Sequence, residues 1–251
     1  MAAKSDYIAV FDSGVGGISV LKALTAQMPG ERYLYFGDSA NAPYGQKTTQ
    51  QVRELTLAAA EKLMARGVKA LVIACNTATA AAITALRERY PDTIVVGIEP
   101  ALKVAADHFP GKRVGVMATP VTLREEKFAR QLARFENVEV TSIPMTGLVE
   151  LIETGEDTQD LLRQQLSPYV GKLDAVVLGC THYPFAAKEI QAVLGPDTAL
   201  LDGSIGTAAQ TRRLLEKAEL LLEEEGSIII ENSSPDKALL ERCWDLLKER
   251  K

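Results

Sequence analysis

Short apolar runs alternate with helical patterns along this chain, and that alternation constrains the fold more than any other feature. The runs fall at 7–11 (Tyr-Ile-Ala-Val-Phe), 33–36 (Tyr-Leu-Tyr-Phe), 70–74 (Ala-Leu-Val-Ile-Ala) and 94–98 (Ile-Val-Val-Gly-Ile), then at 113–117, 138–143, 174–178 and 199–201. They are continuous rather than alternating, as in strands covered on both faces. Helix signals lie between them. Thr48 with Gln51 makes a capping box, Val52, Leu55, Ala59 and Leu63 mark one face, and Gly67 closes the helix. Thr122 with Glu125 repeats the device ahead of Phe128, Leu132 and Phe135. Such alternation predicts an α/β fold with parallel sheets.

The plan occurs twice. Ala-Leu-Val-Ile-Ala-Cys75-Asn-Thr resembles Ala-Val-Val-Leu-Gly-Cys180-Thr-His, 105 positions later. At nearly the same offset Ile8–Ser13 falls on Val114–Thr119, Leu34–Asp38 on Glu139–Ile143, and Val96–Ile98 on Leu201–Gly203. Two pseudo-symmetric domains follow, each a mostly parallel sheet flanked by helices. The expected division is 1–98 plus 207–251 against 99–206. The tail reads as a helix at 206–225, an extra strand at Ile228-Ile229-Ile230 that joins one of the sheets, and a last helix at 235–250.

Composition narrows the function. A chain of 251 residues buries enough surface to need no disulfide or metal staple. The net charge is −5 and no basic run occurs, which speaks against a nucleic-acid partner. No apolar stretch is long enough for a signal sequence or a membrane span. The expected location is the cytoplasm, with no membrane partner, where cysteines stay reduced.

The three cysteines then divide. Cys243 lies beside Leu240, Trp244 and Leu247 on the last helix and reads as apolar filler. Cys75 and Cys180 each end an apolar run and open a helix, at the strand end where parallel sheets bind ligands. A helix N-terminus there favours the thiolate. A disulfide between them is disfavoured in a reducing compartment. The chain has two histidines, His108 and His182. His108 suits a helix C-terminus, and a single Cys180-x-His182 is too little for zinc, so no metal site is expected.

Two loops complete the candidates. Asp12-Ser13-Gly14-Val15-Gly16-Gly17 is a glycine-rich turn between strand and helix, able to offer N–H groups to an anion. As a dinucleotide fingerprint, with Asp38 on the ribose, it fails at Ser19. Asp12 would also repel a pyrophosphate, so an anion or amino-acid contact is the better reading. The loop from Gly37 to Gly45 is long and polar yet carries Pro43 and Tyr44, a form that often holds function.

Taken in order, Asp12-Ser13-Gly14-x-Gly16-Gly17, Pro43-Tyr44-Gly45, Cys75-Asn76-Thr77-Ala78 and Gly179-Cys180-Thr181-His182-Tyr183-Pro184 resemble the glutamate racemases of the aspartate/glutamate racemase family. Ala118-Thr119-Pro120-x-Thr122 and Leu148-Val149-Glu150 fit as well. The resemblance runs from Ile8 to about Ser204. It implies an active site in a cleft between the two domains and a cofactor-independent exchange of L- and D-glutamate, the D-form serving peptidoglycan synthesis in the cell wall. It implies Cys75 and Cys180 as the two bases, with Asp12 as partner to the first and His182 to the second. Ser13, Tyr44, Gly45, Asn76, Thr77, Thr119, Thr181 and His182, with Asp12, would contact substrate. Asp38, Pro43 and Glu150 are weaker pocket candidates. A sister isomerase acting on aspartate, a hydantoin or maleate, and a ligand-binding module without chemistry, are the competing readings. No lysine stands in a recognisable pyridoxal phosphate setting. A homodimer is compatible with the resemblance, and the sequence does not fix the oligomeric state.

Overall fold

A computed structural model describes residues 2–98, 101–124 and 137–248. Its strands are β1 (Tyr7–Asp12), β2 (Arg32–Gly37), β3 (Val68–Ile73), β4 (Ile94–Gly97), β5 (Arg113–Ala118), β6 (Glu139–Pro144), β7 (Ala175–Leu178), β8 (Ala199–Asp202) and β9 (Ser227–Asn232). All strand pairs are parallel. One sheet has the order β4-β3-β1-β2-β9 and the other β6-β5-β7-β8. The chain divides into two compact units, Met1–Ile98 with Ser204–Lys251, and Glu99–Gly203. Residues 204–206, expected with the second half, open the helix Ser204–Lys217, which packs on the helix Ile18–Gln27 of the first unit.

Read from the opposite edge, the second sheet is β8-β7-β5-β6, the order of the first without β9. The registers make the duplication explicit. Ile8 pairs with Tyr33 and Ala70, and Ala70 with Ile94. Val114 pairs with Val140 and Ala175, and Ala175 with Ala199. Ile8 therefore corresponds to Val114, Tyr33 to Val140, Ala70 to Ala175 and Ile94 to Ala199. The expected match of Leu34–Asp38 with Glu139–Ile143 is two positions out. A two-residue step leaves every side chain on its own face, so the apolar pattern could not reveal it.

The central strands β1, β3, β5 and β7 are almost wholly buried, as their continuous apolar runs require. One apolar cluster in the first unit joins Phe11, Leu34, Leu71 and Ile73 to Val52, Ala59 and Leu63 of the helix Thr49–Met64. In the second unit Met117, Ile143 and Val176 meet Leu148, Ile152, Leu162 and Ile190. The capping box at Thr48 is formed in both directions.

Three local features depart from expectation. The helix after β5 starts at Pro120, and Thr119 caps it by accepting the N–H of Thr122; Pro120 takes the first helical position, where no N–H is required. Glu125, Phe128, Leu132 and Phe135 lie outside the described residues. The helix expected at 206–225 ends at Lys217. There Glu219 turns left-handed at φ 59° and the Leu220 N–H reaches back to the Leu215 carbonyl, a Schellman-type stop. The last helix, Lys237–Lys248, buries Cys243 and Leu246 and leaves Trp244 exposed. Its apolar stripe is centred on Cys243, so Trp244 falls to the rim.

One buried ion pair ties the tail to the first sheet. Lys69 of β3 lies 2.6 Å from the Glu31 carboxylate, with both side chains fully buried. Its ammonium also donates to the carbonyls of Leu220 and Lys4, and the Leu222 N–H donates to Glu31. The connection from Lys217 to β9 is thereby pinned to β3 and to the residue before β2. No helix among the described residues is long and apolar enough to cross a membrane.

Candidate active site

Parallel order places the ends of β3, β1 and β2 side by side in the first unit, and so Cys75, Asp12 and Asp38 leave the sheet as neighbours. The Ala74 N–H donates to Phe11 O (2.7 Å) and the Asp38 N–H to Asp12 O (2.9 Å), extending the ladder to the last strand residues. Asp12 is wholly buried and its carboxylate accepts the Gly14 N–H at 2.9 Å. Gly17 is required by proximity, since a Cβ there would stand 2.6 Å from the Cβ of Asp12.

Cys75 is buried and caps the helix Asn76–Arg89, its sulfur accepting the Ala78 N–H at 3.4 Å. The Ser13 hydroxyl donates to the same sulfur at 3.3 Å. Two donors and a helix N-terminus suit a sulfur that must carry negative charge. The side-chain oxygen of Asn76 is buried and has no hydrogen-bond partner among the described residues. Thr77 follows in the first turn, half-buried.

The loop after β2 folds as two short 3-10 turns, Ser39–Asn41 and Tyr44–Gln46, which include Gly45. The Asp38 carboxylate organises it, accepting the Tyr44 hydroxyl at 2.6 Å and the Asn41 amide at 3.0 and 3.1 Å. Burial pushes the Tyr44 phenol well above its ordinary range, helped by the bond to Asp38 and the negative charges of Asp38, Cys75 and Asp12. Tyr44 is thus a neutral donor close to Cys75. Pro43 follows a cis peptide bond.

In the second unit Cys180 follows β7 as Cys75 follows β3, five residues after the paired positions Ala175 and Ala70. Its partners differ. The Cys180 sulfur lies 3.6 Å from His182 Nδ1, and His182 Nε2 lies 3.0 Å from the Glu153 carboxylate. Burial works against charge on this imidazole, but its hydrogen bonds to Cys180 and Glu153 prevail and hold its pKa well above the usual 6.5. The sulfur on one ring nitrogen and the carboxylate on the other both favour the imidazolium form. Thr181 and Tyr183 are buried beside it. Burial, followed by the charges of Cys180 and Glu150, keeps the Tyr183 phenol protonated. Its hydroxyl has no hydrogen-bond partner among the described residues. Thr119, at the end of β5, shares a 2.9 Å contact with the Thr122 hydroxyl.

A thiol thus stands at the same register of each duplicated sheet, and the chain as a whole is similar to known proteins. A family model described as Asp/Glu/Hydantoin racemase matches residues 16–211. Glutamate racemase of Clostridium acetobutylicum is 48% identical over 255 residues, covering 98% of this chain and 99% of that protein. The chain belongs to the Asp/Glu/hydantoin racemase family. Glutamate racemase of Clostridium botulinum is 45% identical over 256 residues and 99% of both chains. Among solved structures, Thermus thermophilus glutamate racemase in complex with beta-chloro-D-alanine superposes with a TM-score of 0.84 at 37% identity, covering 99% of this chain and 95% of that one. The Escherichia coli enzyme, in complex with L-glutamate and the activator UDP-MurNAc-ala, gives 0.87 at 32% identity, with coverage of 97% and 94%.

For a racemase of this family, the structure gathers the sequence candidates into two groups. Asp12, Ser13, Asp38, Tyr44, Cys75 and Asn76 lie together in the first unit, and Cys180, Thr181 and His182 in the second. Glu150 does not reach His182. It is exposed on the helix Leu148–Thr154, and the carboxylate on the imidazole belongs to Glu153, one turn further along. Both glutamates share a helix face, and only the position of that helix beside the 180–183 turn decides between them.

Proposed function

We propose that this racemase interconverts L- and D-glutamate without a cofactor, using Cys75 and Cys180 as two bases on opposite faces of the α-carbon. One thiolate takes the α-proton, leaving the electron pair on carbon. The other thiol donates its proton to the opposite face, and the two cysteines exchange protonation states. In the D-to-L direction Cys75 is the base and Cys180 the acid; in the L-to-D direction the roles reverse. D-glutamate made in this way feeds peptidoglycan synthesis.

The observation that carries the reading is the pair of cysteines at equivalent register in duplicated sheets. Inverting a stereocentre needs two proton carriers, and duplication supplies one from each unit. Their neighbours are not duplicated. Asp12 occupies the place of Ala118, and His182 that of Thr77, so the two thiols have different partners. Asp12 would relay protons to Cys75 and His182 to Cys180, each acting as general acid or base toward its sulfur. The orphan oxygen of Asn76 is suited to an α-ammonium group. The N–H groups and hydroxyls around Ser13, Thr77, Thr119 and Thr181 are suited to the α-carboxylate and to charge that grows on it during proton removal. Tyr44 and Gly45 would close the pocket from the loop.

The test is incubation with L- or D-glutamate in D2O, followed by chiral chromatography and mass spectrometry. One α-deuteron in the inverted product is expected. Turnover of aspartate or a hydantoin with none of glutamate would overturn the substrate assignment.

A further inference from the structure

We propose that the end of β9, through Asn232 and Ser233, positions the loop 38–46 and hence Tyr44 beside Cys75. This rests on the reading of that loop as a substrate contact. β9 is the strand outside the duplication, and its register on β2 carries it to Asn232 opposite Gly37. From there it braces the loop at two places and the end of β2 at a third. The Asn232 amide donates to the Ser39 hydroxyl at 2.9 Å, and the Ala40 N–H donates to the Ser233 hydroxyl at 3.0 Å. The Ser233 N–H donates to Gly37 O at 2.9 Å. The Asn232 side chain is itself fixed, since its oxygen accepts the Ser234 N–H at 2.9 Å.

The loop residues held in this way pass order inward. Ser39 and Ala40 follow Asp38, whose carboxylate fixes Asn41 and Tyr44. Tyr44 packs against Phe11, with ring centroids 6.2 Å apart, and lies near enough to Cys75 and Asp12 to feel their charge. Without the brace, the loop is held from one side only. A loop that is competent for a fraction of the time weakens apparent substrate binding by that fraction and leaves the bound complex unchanged. Asn232 and Ser233 are thus positioning residues, acting on KM more than on kcat.

The experiment compares the full chain with Asn232→Ala/Ser233→Ala. The KM for glutamate should rise about tenfold, the scale of one net hydrogen bond of loop order, while kcat stays within about twofold and thermal midpoints stay close. Hydrogen exchange at the Ala40 and Asn41 amides should quicken. Ser233→Thr, which keeps the hydroxyl, should restore part of the KM when paired with the native Asn232. Arg66→Ala is the control, because it breaks the exposed ion pair between Arg66 and Glu231 of β9 and should leave KM unchanged. Should the double variant fold poorly, Ser233→Ala alone carries the comparison. A parental KM and parental amide exchange would overturn the proposal. An inactive parent would instead sink the glutamate reading, and the exchange of Ala40 and Asn41 would still decide the brace.

Discussion

His182 has a sulfur on one nitrogen and a carboxylate on the other, and its charge state follows from both. Replacing Glu153 by Gln removes the negative partner and should lower the His182 pKa. With two histidines in the chain, imidazole proton NMR can follow each one; His182 should titrate well above about 6.5 in the parent and move downward in E153Q. A parental His182 titrating at or below that value would contradict the ion-pair assignment. Stability carries the same sign. A histidine raised in the folded state contributes fully below about pH 6.5 and loses its contribution as pH rises through the folded value. The parent should therefore exceed E153Q by about 2 kcal/mol at mildly acidic pH, with the gap narrowing toward alkaline pH. Cys75, Cys180, Asp12 and His182 were legible as candidates because they sit at strand ends in ordered motifs. Glu153 was not, because the choice between it and Glu150 depends on where a seven-residue helix is docked.

At the scale of elements, strand order brings distant residues to one edge and glycine makes the approach possible. Gly17→Ala would press a Cβ against Asp12 at 2.6 Å and Ala74 at 3.1 Å. Overpacking of this kind costs about 1–3 kcal/mol, readable in urea denaturation, and should depress turnover by displacing Asp12. Gly37→Ala would meet the Gly14 carbonyl at 2.5 Å and act alike. Unchanged stability and activity in both variants would show that this turn is looser than described. The strands were clearest in β1, β3, β5 and β7, where burial on both faces writes itself into consecutive apolar residues, and faintest in β6, where Glu139, Ser142 and Pro144 are exposed. Helix ends were less legible. Thr119 rather than Thr122 caps its helix because Pro120 claims the first helical position. The helix Ser204–Lys217 stops where Leu220 and Leu222 are taken up by Lys69 and Glu31, partners more than 150 residues away in sequence.

For the whole molecule, the duplication and the extra strand of the tail were readable, but the edge beside β2 that β9 takes was not, because β9 has no counterpart in the second half. The Lys69–Glu31 pair holds the approach to β9. Lys69→Met leaves a buried carboxylate unpaired and should cost about 3–5 kcal/mol, of which Lys69→Met/Glu31→Leu should recover part. Equal stability of the single variant and the parent in guanidinium unfolding would remove the pair from this role. The central claim, one thiol from each unit acting on a single carbon, is tested most directly by α-deuterium exchange of L- and D-glutamate with Cys75→Ala and Cys180→Ala. Each variant should lose racemisation in both directions. Cys180→Ala should keep α-exchange without inversion only toward D-glutamate, and Cys75→Ala only toward L-glutamate. Racemisation at the parental rate by either variant would contradict the two-thiol account.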